Sequence, residues 1–465
     1  MVADVTRVAG VDERDLLHAA ADYAADYLET LDDRPIRHSA EVEELYEALG
    51  GPLPEDGLDA RTVLAALAES AESGLVASPS GRYFGFVVGG SLPAATAVDW
   101  LATAWDTNAG GWVLGPSAMV VEEVARGWLT ELFGLPPHVS AGFVSGCQMA
   151  HVTALAAARN HVLARAGWDL AQDGLAGAPS IRVVVGAKRH VTIDRALRLL
   201  GIGASALVVV PADDQGRMRV EQLPPLDGAP TIVCAQAGEV NTGAFDDLEA
   251  VADAADGTDA WFHVDGAFGL WAAATPRLHH LVRGVERADS WASDFHKWLN
   301  VPYDSGIALC AHPDAQRAAM SATAEYIVLQ EDPLRRDSVD WAPEFSRRAR
   351  GFAVYAALRS LGRNGVADLV ERCCAHAQLF AELLEAGGAT ILNDVVLNQV
   401  LVRFGDGERT RQTIERVQED GTCWLGGTEW SGEHAMRISV SNWRTTTEDV
   451  ERSVAAILAA AAVPA

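Results

Sequence analysis

AWFHVDGAFG (260–269) reads as a short apolar strand that ends in an aspartate and turns on a glycine. Four other runs share its texture: RVVVG (182–186), ALVVVP (206–211), TIVCA (231–235) and GIALCA (306–311). They are brief, rich in β-branched residues, and alternate with helical stretches. Continuous apolar runs of this length fit strands buried on both faces of a parallel sheet. The expected fold class is therefore α/β, a mostly parallel, doubly wound central sheet with helices on both faces. Function in such a sheet gathers at the carboxyl ends of the strands, and Asp265 stands at one of them.

On the N-terminal side the texture is helical. RDLLHAAADYAADYLETL (14–31) sets Leu17, Ala20, Ala24, Tyr27, Leu28 and Leu31 at helical spacing. A Pro/Gly-bearing stretch, GGPLPEDG (50–57), separates it from a second helical run, TVLAALAES (62–70). Residues 1–80 are thus expected to form a helical arm, and 81–345 the large sheet-bearing domain. Beyond it SRRARGFAVYAALRSLG (346–362) is helical, and a long helix follows. Strand-like pieces NQVLVRFG (398–405) and AMRISVSN (435–442) and a final alanine-rich helix make 346–465 a small α+β domain. Three units agree with what 465 residues suggest from length alone.

Composition narrows the class. With 49% hydrophobic and 22% charged residues the chain reads as a soluble globular protein. No apolar run approaches a bilayer span. The opening MVADVTRVAGVDERDLL (1–17) carries early acids and no long apolar core, unlike a secretory signal. Both absences point to the cytoplasm and away from a membrane partner. A net charge of −28 favours solubility and repels a phosphate backbone, so no nucleic-acid partner is expected. The six cysteines, Cys147, Cys234, Cys310, Cys373, Cys374 and Cys423, contain no CxxC pair. Buried thiols are expected, rather than disulfides or a zinc knuckle. His279 and His280 lack a third ligand at helical spacing and are read as surface histidines, so no metal site is expected.

Four stretches carry candidate chemistry. In ADSWASDFHKWLN (288–300), Lys297 sits among apolar and aromatic residues. Burial there would favour the neutral amine, which can attack an aldehyde and form a Schiff base. A lysine snorkelling from a helix start fits the same residues. Asp265 suits the task of holding a proton on a pyridine nitrogen, and equally that of a helix cap. GFVSGCQMAHVTALAAARN (142–160) runs from a Ser-Gly turn into a helix whose first amides would bind phosphate. His190, between RVVVG and a helical run, fits a ring stacked on a flat cofactor, or a structural histidine.

Order and spacing join these signals. Phosphate turn, histidine, aspartate and lysine follow one another, each at a strand end. The chain thereby resembles the group II pyridoxal-5′-phosphate (PLP)-dependent amino-acid decarboxylases, the family of the aromatic-amino-acid, glutamate and diaminobutyrate decarboxylases. HKW (296–298) with HVDGA (263–267) carries much of the resemblance, which extends over GRYFGFVVGG (81–90), GPSAMVVEEVARGWLTELFGLP (115–136), VNTGAFDDL (240–248) and MRISVSNWRTT (436–446).

The resemblance implies the aspartate-aminotransferase-like fold (fold type I) and decarboxylation of an L-amino acid to its amine. Lys297 would carry PLP as a Schiff base, Asp265 pair with the ring nitrogen, His190 stack on the ring and Ala267 pack beneath it. The amides of Gly146 and Cys147 would bind phosphate, helped by Ser145, Asp294 or His296. The family's homodimer, with interlocked N-terminal helices and shared active sites, would bring Tyr83, Phe84 and Phe86 to the neighbouring subunit's site. With Trp112, these aromatics hint at an apolar pocket or simply at core packing.

Three departures accompany it. SGCQM (145–149) replaces the usual Ser-Gly-Gly-Ser/Thr-Glu turn. Gly238-Glu239-Val240 replaces a Gly-Thr-Thr turn and offers a carboxylate near the site. Within the charged stretch LQEDPLRRDSVDWAP (329–343), expected to be mobile, Ser338 takes the place of a proton-donating tyrosine. The last two favour, as runner-up, a PLP carbon–carbon lyase, aldehyde-forming enzyme or aminotransferase. Arg437, on a strand-like run, would clamp a substrate carboxylate or serve a structural ion pair.

Overall fold

Three helices, α1 (Glu13–Glu29), α2 (Val42–Leu49) and α3 (Ala60–Glu72), come first in the chain. The structure is a computed structural model that describes residues 12–321, 332 and 334–463. Asp12 and Asp59 accept first-turn amides of α1 and α3 and so fix where each begins. The helical spacing of 14–31 carries on to Leu31, but α1 ends two residues earlier. Thr30 turns its hydroxyl onto the carbonyls of Asp26 and Tyr27, and Leu31 is buried beyond the helix. Sequence reading passed over α2, although Glu41 and Glu44 form a capping box and Val42, Tyr46 and Leu49 share one face.

Helices α4 (Pro93–Trp105) and α5 (Pro116–Leu132) each start on a proline, whose fixed φ suits the first turn. The large sheet follows, built from β1 (Ser140–Val144), β2 (Arg182–Gly186), β3 (Leu207–Val210), β4 (Thr231–Gln236), β5 (Trp261–Asp265), β6 (Ser290–Asp294) and β7 (Gly306–Cys310). Its strand order is β1-β7-β6-β5-β4-β2-β3. The helices between these strands are α6 (Cys147–Arg165), α7 (Leu170–Asp173), α8 (Val191–Leu199) and α9 (Leu248–Ala255), and α10 (Pro313–Met320) follows β7.

The five apolar runs all form strands of the mostly parallel sheet expected, and one of them, β3, is less buried than expected. β7 pairs antiparallel with both β1 and β6, so the sheet is mostly but not wholly parallel. β3 is an edge strand with only β2 beside it, and Val209 is 49% exposed, so it is not buried on both faces. β1 and β6 escape an apolar-run reading because Ser140, Ser290, Ser293 and Asp294 interrupt them, though all four are buried.

The long helix α11 (Gly351–Ala386) begins after the SRRAR segment and breaks at Gly362, whose φ of 61° a side chain would resist. Beyond it β8 (Thr390–Ile391), β9 (Gln399–Arg403), α12 (Gly407–Asp420), β10 (Gly426–Trp430), β11 (Glu433–Ser439) and α13 (Thr447–Ala462) give an antiparallel sheet of order β10-β11-β9-β8. β8 and β10 are too short or too glycine-bearing to stand out in the sequence.

Asn300 ties these parts together just beyond the candidate lysine. Its Oδ1 accepts the amides of Gly90 (2.7 Å) and Trp443 (3.0 Å), and its Nδ2 donates to the Ser441 carbonyl (3.0 Å). Buried Arg82 likewise donates to the carbonyls of Asp32, Arg34 and Thr422, holding the helical arm to the C-terminal region. All six cysteines are buried and unpaired. Among the described residues no helix is long and apolar enough to cross a membrane.

Candidate active site

The ends of β1, β5 and β6 and the starts of α6 and α8 surround a cavity of about 370 Å³. Ser145, Gly146, Cys147, Gln148, Met149, His190, Thr192, Ala267, Asp294, His296 and Lys297 line it. The sequence reading had named eight of these; Gln148, Met149 and Thr192 it had not.

Backbone meets backbone at the turn into α6. A Cβ on Gly306 would lie 2.6 Å from the Gly146 Cα, and one on Gly146 would lie 3.0 Å from the His296 ring. Gly306 therefore needs to be glycine, and a side chain at Gly146 would press on the His296 ring. No side chain caps α6, so its first amides face the cavity end of the helix. The Cys147 amide donates to Asp294 Oδ1 at 2.5 Å. Asp294 Oδ2 lies 2.9 Å from Lys297 Nζ.

This arrangement corrects two expectations. Burial alone pushes Lys297 towards the neutral amine, but the carboxylate of Asp294 outweighs it and raises the lysine above its ordinary value. Lys297 is thus an ammonium in this state, not a free amine. Asp294, taken as a helper for phosphate, is the anion that occupies the Cys147 amide and the lysine.

The other rings are fixed by their neighbours. His190 caps α8, with Nδ1 2.8 Å from Thr192 Oγ1 and accepting the Thr192 amide. Burial pushes its pKa down, leaving a neutral ring with the proton on Nε2. His296 accepts the Ser305 amide at Nδ1 (3.1 Å), and burial pushes it down too, so Nε2–H faces Asp294 Oδ1 at 3.5 Å.

Asp265 lies behind Cys147 and Ala267. Its Oδ1 accepts the Ala267 amide (3.2 Å) and stands 3.9 Å from Cys147 Sγ. Oδ2 is 3.5 Å from His151 Nε2. Burial would raise this carboxyl, but His151 foremost, then His190 and Lys297, hold it well below the usual range. The result is a buried anion.

Four other candidates lie elsewhere. Phe84 is in the core, edge-on to Phe380 at 4.8 Å between centroids, and does not reach the cavity. Glu239 turns back on its own loop, accepting the amides of Asn241 (2.7 Å) and Thr242 (2.8 Å), so its carboxylate is spent on the turn. Ser338 is buried in a short turn and donates to Glu122 Oε2 at 2.8 Å, away from the lysine. Of the stretch 329–343, residues 329–331 and 333 lie outside the described residues. Arg437 is half-buried on β11 and among the described residues makes long hydrogen bonds, 3.4 Å to the Val240 carbonyl and 3.5 Å to Asn241 Oδ1. Among the neighbouring aromatics, Tyr83 and Phe86 stack on Trp424, and Trp112 packs beside Arg335. His279 and His280 are exposed.

The site fits PLP by its own chemistry. A partly buried lysine offers the covalent anchor, the start of α6 offers amides to phosphate once Asp294 yields that of Cys147, and a buried anion, Asp265, stands behind the cavity wall for a ring N–H. A Cβ at Gly146 would crowd the turn where that phosphate would approach.

Known proteins agree. Residues 45–404 match the pyridoxal-dependent decarboxylase conserved domain. An aromatic-L-amino-acid decarboxylase of Bacillus atrophaeus is 26% identical over 460 residues, covering 94% of this chain and 93% of its own. A 4-hydroxyphenylacetaldehyde synthase of Rhodiola rosea is 24% identical, covering 92% and 91%. The solved structure of Oryza sativa TDC with PLP and tryptamine superposes with a TM-score of 0.90 at 23% identity, over 99% of each chain, and shares the fold. The chain belongs to the pyridoxal-dependent decarboxylase family.

Proposed function

We propose that this chain decarboxylates an L-amino acid to its amine, with PLP anchored on Lys297. The observation that carries this reading is one cavity lined by Lys297 and the first residues of α6, with the buried carboxylate of Asp265 just behind its wall at Cys147 and Ala267. PLP supplies the electron sink that takes up the charge left when the carboxylate departs. The residues of the chain bind and orient. Asp265 holds the ring nitrogen's proton, the neutral His190 ring lies over the cofactor, and Ala267 packs beneath it. Ser145 and the amides of Gly146 and Cys147 take the phosphate once Asp294 yields the Cys147 amide. Asp294, paired with Lys297, is also the nearest acceptor for the proton that the lysine must lose.

Arg437 is the proposed clamp for the substrate carboxylate. It is a half-buried guanidinium, and among the described residues it has no ion pair within 4.0 Å. A carboxylate would give it the bidentate partner that it lacks. We also propose a homodimer. Leu17 (61% exposed), Tyr46 (77%) and Trp105 (54%) on the N-terminal helices offer apolar surface to a second copy.

A second reading, aldehyde formation, is favoured by the similarity to the 4-hydroxyphenylacetaldehyde synthase of Rhodiola rosea and a phenylacetaldehyde synthase of Arabidopsis thaliana. That reaction consumes O2 and water and releases CO2, ammonia and hydrogen peroxide with the aldehyde. The test is product identification by mass spectrometry from PLP-loaded protein and a panel of L-amino acids. An amine lighter than its substrate by one CO2 supports decarboxylation; an aldehyde with equivalent ammonia and peroxide replaces it with the second reading.

A further inference from the structure

Behind Asp265 lies a chain of buried polar groups that the proposed reaction does not use. The sequence dictates its assembly. Cys147 and His151 are four residues apart, so they share a face of α6. His263 and Asp265 are two apart on β5, so they share a face of the sheet. Parallel pairing sets His263 beside Ser290 on β6. Three elements thus bring four groups into line.

The distances close the line. His151 Nδ1 is 3.0 Å from His263 Nε2, and His263 Nδ1 is 2.8 Å from Ser290 Oγ. Ser290 Oγ also accepts the Trp261 indole N–H at 2.8 Å. At the other end His151 Nε2 is 3.5 Å from Asp265 Oδ2 and 3.3 Å from Cys147 Sγ. His151, His263 and Ser290 have no exposed surface.

Hydrogen-bond direction follows from charge. Burial drives His263 down to about 3, so it is neutral and carries one N–H. Because the indole N–H fills one acceptor position of Ser290, that hydroxyl can point its own hydrogen at His263 Nδ1. His263 then donates from Nε2 to His151 Nδ1, and His151 presents Nε2–H to Asp265. With a neutral His151, the reverse direction would aim a bare nitrogen lone pair at an anion. The other groups facing this line fit the same direction. The Cys147 thiol, pushed well up by burial, keeps its hydrogen, and His190 and Lys297 act on Asp265 from the cavity side.

We propose that Ser290, His263 and His151 form a one-way donor chain that fixes Asp265 as an oriented anion, making His151 a positioning residue for the cofactor's ring nitrogen. This rests on the PLP reading above. The chain ties the Asp265 carboxylate to the core through His151. It also explains why two histidines lie wholly inside the molecule.

The test has two arms. In the first, wild-type protein labelled with 15N-histidine is studied by NMR without PLP. Both rings should be neutral with the proton on Nε2, the His151 and His263 signals being assigned by His151→Gln and His263→Gln. An Nδ1–H tautomer or an imidazolium at either position overturns the chain. In the second, PLP affinity is measured by fluorescence and visible absorption for His151→Leu and His151→Gln. Loss of one hydrogen bond to a charged group corresponds to about tenfold weaker binding for the leucine variant. Glutamine, whose amide reaches towards the same carboxylate, should recover most of it. A leucine variant that binds PLP like the wild type, or equal losses in both variants, refutes the positioning role. If wild-type protein takes up no PLP, the functional reading fails instead, and the tautomers still decide the chain.

Discussion

Lys297 and Asp294 stand three residues apart, and their 2.9 Å contact sets the charge on the lysine. Because the lysine pKa is raised, the neutral amine is the minor form at neutral pH. Cofactor attachment needs that minor form. Its rate should therefore climb with pH, by about tenfold per unit below the lysine pKa, and stopped-flow absorbance after mixing with PLP would follow it. A rate flat across neutral pH would mean that the ion pair does not govern attachment. Asp265→Asn should still bind PLP but lose about ten- to a hundredfold in turnover, the worth of a charged hydrogen bond. Steady-state kinetics of the purified variant would test this. Asp265 and His190 stand out as candidates because each follows a strand-like run, and Lys297 because it sits among apolar and aromatic residues. The charge on Lys297 was not legible, since burial and its ion pair act in opposite senses and only distance decides between them. His151 sits inside an alanine-rich helix, and nothing in that helix foretells that it meets β5.

At the scale of elements, the Arg347–Glu122 ion pair joins α5 to the segment before α11. Both side chains are almost wholly buried, and Arg347 also donates to the carbonyls of Phe143 (2.6 Å) and Ala109 (2.9 Å). Removing one partner leaves a bare charge in the core. Arg347→Met should cost about 3–5 kcal/mol, read from urea denaturation. Ser338 completes the cluster through Glu122, so Ser338→Tyr should lower stability by about 1–3 kcal/mol from overpacking, measured in the same way. Reading Ser338 as a site residue relied on its position along the chain. Burial against Glu122 is a fact of packing, which no local pattern carries. Likewise the apolar runs revealed five strands but not β1 and β6, whose serines are matched inside the fold. Ser140 Oγ, for example, bonds Gln316 Oε1 at 2.6 Å.

At the scale of the whole molecule, no residue of α1 is fully buried within its own chain, though Tyr27 packs against the cluster of Leu31, Ile36 and Tyr83. A helix with Leu17 61% exposed and Leu28 36% exposed pays no such cost if a second copy covers it. Sedimentation should show a dimer. Leu17→Glu with Leu28→Glu should shift it towards monomer while leaving the melting temperature of the monomer nearly unchanged, because neither side chain is buried within the chain. A dimer untouched by both changes would place the interface elsewhere. The helical pattern of this arm was plain in the sequence, and its apolar face supports a partner.

The most direct test of the central claim is to reduce PLP-loaded protein with borohydride, digest it, and locate the pyridoxyl group by peptide mass spectrometry. The expected result is one modified peptide with the group on Lys297, and none in Lys297→Ala. Attachment at Lys188, or none at all in the wild type, would contradict the site described here.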